Sequence, residues 1–149
     1  MTETPPRLLL VNGPNLGRLG TRRPEVYGPA TLNEITAAVE GIATAAGWRL
    51  TAFQSNHEGA IIDFLDSHRA AAGAIINPGA LMMAGWSLRD ALEDFPAPWI
   101  EVHLSNIWRR ESFRHQSVLC GLAVGVIAGL GAAGYRLAAQ ALIERGAAP

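Results

Sequence analysis

No lysine occurs in the chain: all 12 basic residues are arginines. That excludes a Schiff base or an amine nucleophile from whatever chemistry the protein performs. Cysteine is nearly as scarce, with Cys120 standing alone in an apolar stretch. There is no disulfide framework and no Cys-x-x-Cys spacing for a metal, and a reducing, cytoplasmic setting fits that usage. Nor is there a dominant sign of charge, since 13 acidic residues against 12 basic ones leave a net −1. Nucleic-acid binding usually needs a strongly basic domain or face, so no polyanionic partner is expected. The one dense positive patch is RRESFRH, residues 109–115. Long hydrophobic runs are also lacking, with one exception. Residues 118–135 pass 18 positions without a charge, near the lower limit for a spanning helix. Five glycines break this run, and Val124, Val126 and Ile127 cluster just before GLGAAG, so it reads as a buried strand turning into a helix, with no membrane partner. The opening MTETPPRLLL, with an acid and two prolines before a short apolar run, does not read as a secretion signal.

What remains is a chain of 149 residues, 49% hydrophobic and 17% charged, the size of one compact domain over residues 1–149. Apolar runs typical of buried parallel strands alternate with segments of helical period. Strands are expected at 7–12, 48–55, 74–77, 98–104 and 124–130, and helices at 31–47, 57–73, 86–95 and 134–145. Thr31 is the expected N-cap of the first helix, with Glu34 completing a capping box. Such β/α alternation, without repeat or linker, predicts an α/β fold: a flavodoxin-like doubly wound five-stranded parallel sheet with helices on both faces. Ligands of such sheets bind beyond the carboxyl ends of the strands, where the strand order reverses. Those ends carry Asn12, Asn15, Arg22 and Tyr27 after the first strand, Asn77 after the third, and EVHLSN at the fourth.

Several motifs fail on spacing. GLGAAG at 129–134 matches Gly-x-Gly-x-x-Gly, yet only 15 residues follow, leaving no room for the acidic ribose ligand expected about 20 residues on. Close packing of strand against helix explains it better. NGPNLGRLG lacks the Gly-Lys-Ser/Thr of a phosphate loop, and HEGAI lacks the second histidine of a zinc-protease helix. Two constellations can move protons. Glu101 and His103 lie two apart on a strand and so share a face, where the carboxylate can hold one ring nitrogen and leave the other free. A strand-end histidine capped by its neighbour is the other reading of that pair. In the opening loop Arg22 and Tyr27 flank Pro24, and Tyr27 serves either as a base or as turn packing.

NGPNLGRLGTRRPEVYG (12–28), QSNHEG (54–59), INPGAL (76–81), SLRDAL (87–92) and EVHLSNIWRRESFRHQS (101–117) together closely resemble the type II dehydroquinases, in order and over nearly the whole chain. The resemblance implies trans-dehydration of 3-dehydroquinate to 3-dehydroshikimate through an enolate, without cofactor or metal, in the shikimate or quinate pathway. It implies that the opening loop is a mobile lid, which would account for its density of polar residues. Tyr27 is then the base, Arg22 its activating arginine, and Asn15 the holder of a water at the enolate oxygen. His103 is the acid, oriented by Glu101. Asn77, Leu104, Ser105 and Arg114 hold the small-molecule substrate, and Asp90 reaches a neighbouring subunit in a homo-oligomer, a dodecamer of trimers. Three positions depart from the family pattern. Met83 stands where a substrate-contacting histidine is usual, Trp108 replaces another histidine, and Arg23 replaces a glutamate. These departures leave open a weakly active homologue, or a paralogue acting on a less hydroxylated cyclic ketone. A non-enzymatic flavodoxin-like module is a third reading, against which the set Arg22, Tyr27, Glu101, His103 and Arg114 stands.

Overall fold

A computed structural model describes residues 3–147. Each strand runs parallel to its neighbours: β1 (Arg7–Asn12), β2 (Arg49–Gln54), β3 (Gly73–Asn77), β4 (Trp99–His103) and β5 (Gly125–Ala128) lie in the order β2-β1-β3-β4-β5. This is the doubly wound order that the alternation predicts. The helices are α1 (Pro24–Tyr27), α2 (Leu32–Ala45), α3 (Glu58–Ser67), α4 (Leu81–Ala84), α5 (Trp86–Glu93) and α6 (Ala133–Ala147).

The period-two alternation of the strands sorts the core into two layers. Leu8 and Leu10 of β1 point to one face, where they pack with Ile35 and Val39 of α2 and with Tyr135, Ala138 and Leu142 of α6. Leu9 and Val11 point to the other, against Ile61 and Leu65 of α3 and Leu88 and Leu92 of α5. Strands buried on both faces read as the continuous apolar runs seen in the sequence. Thr31 caps α2 as expected, its Oγ1 accepting the Glu34 N–H at 3.1 Å. The GLGAAG segment does join a strand to a helix at close quarters. A Cβ at Gly134 would lie 3.2 Å from Ile127 Cγ2 and 3.6 Å from Val102 Cγ1, so a side chain there would push α6 off the sheet. No helix among the described residues is long and apolar enough to cross a membrane.

One element is shorter than its periodicity suggests. The helix expected over 57–73 ends at Ser67, because side chains take over its last carbonyls. Ser67 Oγ donates to Asp63 O at 2.9 Å, and a His68 ring nitrogen lies 2.7 Å from Phe64 O. The chain then turns so that the Ala72 N–H can reach Arg7 O at 2.8 Å and start β3 alongside β1. Alanine tracts favour helix locally, but this strand pairing decides the boundary.

Candidate active site

Strand order reverses between β1 and β3, where Asn12 and Asn77 sit in register. The two loops that leave these strands touch: Gly13 N–H donates to Asn77 O at 2.8 Å, and a Cβ at Gly13 would lie 2.5 Å from Pro78 O. Only glycine permits that approach. Below it, a buried polar network is fully ordered. Tyr135 OH donates to Asn12 Oδ1 at 2.6 Å and accepts from Asn77 Nδ2 at 2.8 Å, while Asn77 Oδ1 accepts the Gly79 N–H at 3.0 Å. Burial pushes the Tyr135 phenol above its ordinary range, with the Asn77 bond only partly opposing, so the group stays neutral and can donate. The amide of Asn77 therefore has one permitted orientation, because its carbonyl and amino ends face different partners.

At the end of β4, Glu101 and His103 project to the same side. His103 Nε2 lies 2.7 Å from Glu101 Oε2, with the carboxylate fully buried and the imidazole nearly so. Facing them is the loop after β1, which enters through Asn15 in the left-handed region (φ 71°). Asn15 is held by two contacts: its N–H donates to Asn56 Oδ1 at 3.0 Å, and Arg18 Nη2 donates to its Oδ1 at 2.5 Å. The single turn of α1 then carries Tyr27 between two guanidinium groups. Arg22 Cζ lies 4.7 Å from the ring centroid, and Arg110 Cζ 5.2 Å. Arg110 Nη1 also donates to the phenol oxygen at 3.1 Å. A cationic donor there stabilises any negative charge that the oxygen acquires.

One open cleft gathers the polar ends of these loops and strands, and Arg110 lines it. Asn15, Arg22, Tyr27, Asn77, His103, Leu104, Ser105 and Arg114 all face it. Arg114 is steadied by Glu111, whose Oε2 accepts from Arg114 Nε at 2.8 Å and lies 3.9 Å from Arg110 Nε. The Glu111 backbone N–H and then Arg114 hold that exposed carboxyl below the usual carboxylate range. Three guanidinium groups beside a buried imidazole suit an anionic, hydroxylated ligand and proton transfer at two points of it.

The family model described as Dehydroquinase class II matches residues 6–143. The chain belongs to the class II dehydroquinases. It is 55% identical to a 3-dehydroquinate dehydratase of Roseiflexus castenholzii, over 96% of this chain and 92% of that one. It is 47% identical to one of Bacillus subtilis, over 94% and 95%. Among solved structures, the type II dehydroquinase of Propionibacterium acnes superposes with a TM-score of 0.88 at 37% identity, covering 96% of this chain and 99% of that one. The type II dehydroquinase of Butyrivibrio crossotus gives 0.90 at the same identity, over 93% and 97%.

Within this class II dehydroquinase, two expected residues stand apart from the cleft. Glu101 is fully buried and reaches the cleft only through its contact with His103. Asp90 sits exposed on α5 and does not line the cleft of its own chain. Arg110 is the residue that the sequence reading missed. It was visible only as part of the positive patch at 109–115, and what singles it out is contact with Tyr27, 83 positions earlier. Met82 lines the cleft and Met83 does not, because the single turn of α4 directs successive side chains about 100° apart. Trp108 is 58% exposed and likewise does not line the cleft. The two substitutions that suggested a changed substrate lie outside the lining of this chain's own cleft.

Proposed function

We propose that the protein is a 3-dehydroquinate dehydratase, a hydro-lyase that converts 3-dehydroquinate to 3-dehydroshikimate by trans-elimination through an enolate. The observation that carries the reading is the pairing of Tyr27, under Arg22 and Arg110, with the Glu101-held His103 across one cleft. In this assignment the Tyr27 phenolate takes the C2 proton next to the ketone, and the electron pair of the C–H bond moves into the enolate. A water held by Asn15 donates to the enolate oxygen, a role worth about 3 kcal/mol in comparable sites. As the enolate collapses, the C1–O bond breaks and His103, acting as the acid through Nδ1, gives a proton to the departing hydroxyl, releasing water. Solvent then carries the proton from Tyr27 back to His103, and the cycle needs no oxidant, cofactor or metal.

Arg114 binds the substrate carboxylate, while Asn77 and the backbone at Leu104 and Ser105 take its hydroxyls. Asp90 serves a neighbouring subunit of a homododecamer built from trimers. The exposure of Trp86 (63%), Trp108 (58%) and Phe113 (62%) supports association, since large aromatics left in water favour burial between copies. We read residues 1–149 as one such domain, acting in the cytoplasm in aromatic biosynthesis or quinate use. The test is to add 3-dehydroquinate to the purified protein and follow the ultraviolet absorbance of the conjugated product. No absorbance change at saturating substrate would sink the assignment.

A further inference from the structure

We propose that Ser117 is a positioning residue for the acid side of the elimination: it fixes the Glu101 carboxylate, and through it the tautomer and tilt of His103. The proposal rests on His103 being the acid. Ser117 lies between the 3-10 turns Ser112–Arg114 and Cys120–Leu122 and does not line the cleft. Its Oγ accepts the N–H groups of Leu119 and Cys120, each at 3.1 Å. A hydroxyl has two lone pairs and one proton. With both lone pairs taken, the proton is committed, and it is directed to Glu101 Oε1 at 2.8 Å.

Glu101 needs that donor. It is fully buried, and a carboxylate removed from water is tolerated only when its oxygens are hydrogen-bonded. Ser117 covers Oε1 and His103 covers Oε2, so each oxygen has its own partner. Because the carboxylate can only accept, Nε2 of His103 must carry a proton, and Nδ1 is the nitrogen left to exchange one in the cleft. After the ring has given up its Nδ1 proton, the tautomer that remains is the one Glu101 holds. The direction of the chain from backbone N–H to Ser117, Glu101 and His103 is thus set at its far end, by the amides of Leu119 and Cys120.

The test compares kcat and KM of Ser117→Ala, Ser117→Thr, His103→Ala and the Ser117→Ala/His103→Ala pair, each measured well below its own unfolding temperature. Ser117→Ala should lower kcat by about 10-fold or more while KM stays within about 3-fold, because the lost bond orients the acid rather than the substrate. Ser117→Thr, which keeps the hydroxyl, should recover most of the loss. In the His103→Ala background, Ser117→Ala should add nothing, since its whole effect passes through the imidazole. An undiminished kcat in Ser117→Ala, or an equal further drop in the His103→Ala background, overturns the proposal. Wild-type kcat in His103→Ala would instead remove the acid assignment beneath it. Should Ser117→Ala fail to fold, Ser117→Cys, whose thiol is a poor donor, takes its place. A lowered kcat with KM held within about 3-fold upholds the proposal, and an undiminished kcat overturns it.

Discussion

The two sides of the cleft are built differently. The side proposed to hold the acid belongs to the sheet: Asn77 and His103 end β3 and β4 and are almost wholly buried, with both ends of the Asn77 amide and one ring nitrogen of His103 each given a partner. The base side belongs to a loop: Tyr27 and Arg22 are half-buried, and the ring is held by cation–π contacts and one hydrogen bond from Arg110. A group on a strand end is positioned by the packing of the whole domain, whereas a group on a loop is positioned by the few contacts that it makes. The acid side should therefore fail through loss of chemistry, and the base side through loss of placement as well.

The largest effects test the claim that each side supplies one proton transfer. Tyr27→Phe and His103→Ala should each lower kcat by about 10²–10⁴-fold with the fold retained, measured by turnover and circular dichroism. Substantial activity in either would break the division of labour. Next comes the loop's dependence on a distant cation. Arg110→Ala removes the donor to the Tyr27 oxygen and should cost about 10- to 150-fold in kcat/KM, the value of a charged hydrogen bond. If Arg22→Ala alone inactivates while Arg110→Ala is neutral, the second guanidinium is only packing.

A smaller effect probes the acid side's scaffold. Tyr135→Phe leaves Asn12 Oδ1 and Asn77 Nδ2 without their shared partner, which should lower stability by about 1–3 kcal/mol in denaturant titration and raise KM as the Asn77 amide loses its orientation. Unchanged KM would mean that Asn77 holds its pose without the tyrosine. The smallest concerns Met83→His. With Met82 rather than Met83 on the cleft wall, kcat/KM should stay within about 3-fold of wild type, since substitutions away from a site usually act weakly. A large gain would show that Met83 reaches the substrate after all.

The Glu101–His103 pair was legible in the sequence because strand period two places positions two apart on one face, whatever the rest of the chain does. The strand order followed from β/α alternation, and the burial of β1 on both faces from its continuous apolar run. The end of α3 was not legible, because an alanine run reads as helix, whereas the side chains of Ser67 and His68 and the pairing of the next segment with β1 stop it at Ser67. Arg110 was equally hidden. Nothing in RRESFRH tells one arginine from another until the fold brings that segment to Tyr27.

By itself, then, the sequence determined the sheet, its faces, the lack of any lysine and the placing of Glu101 and His103 on one strand face, all of which depend on residue type and spacing within a few positions. Tertiary structure alone decided which cation meets the phenol, which methionine faces the cleft, and which hydroxyls steady Asn77 and Glu101. The hydrogen bonds among those contacts join residues from 16 to 83 positions apart. Their existence depends on how separate strands, helices and loops are brought side by side, and no local period encodes that.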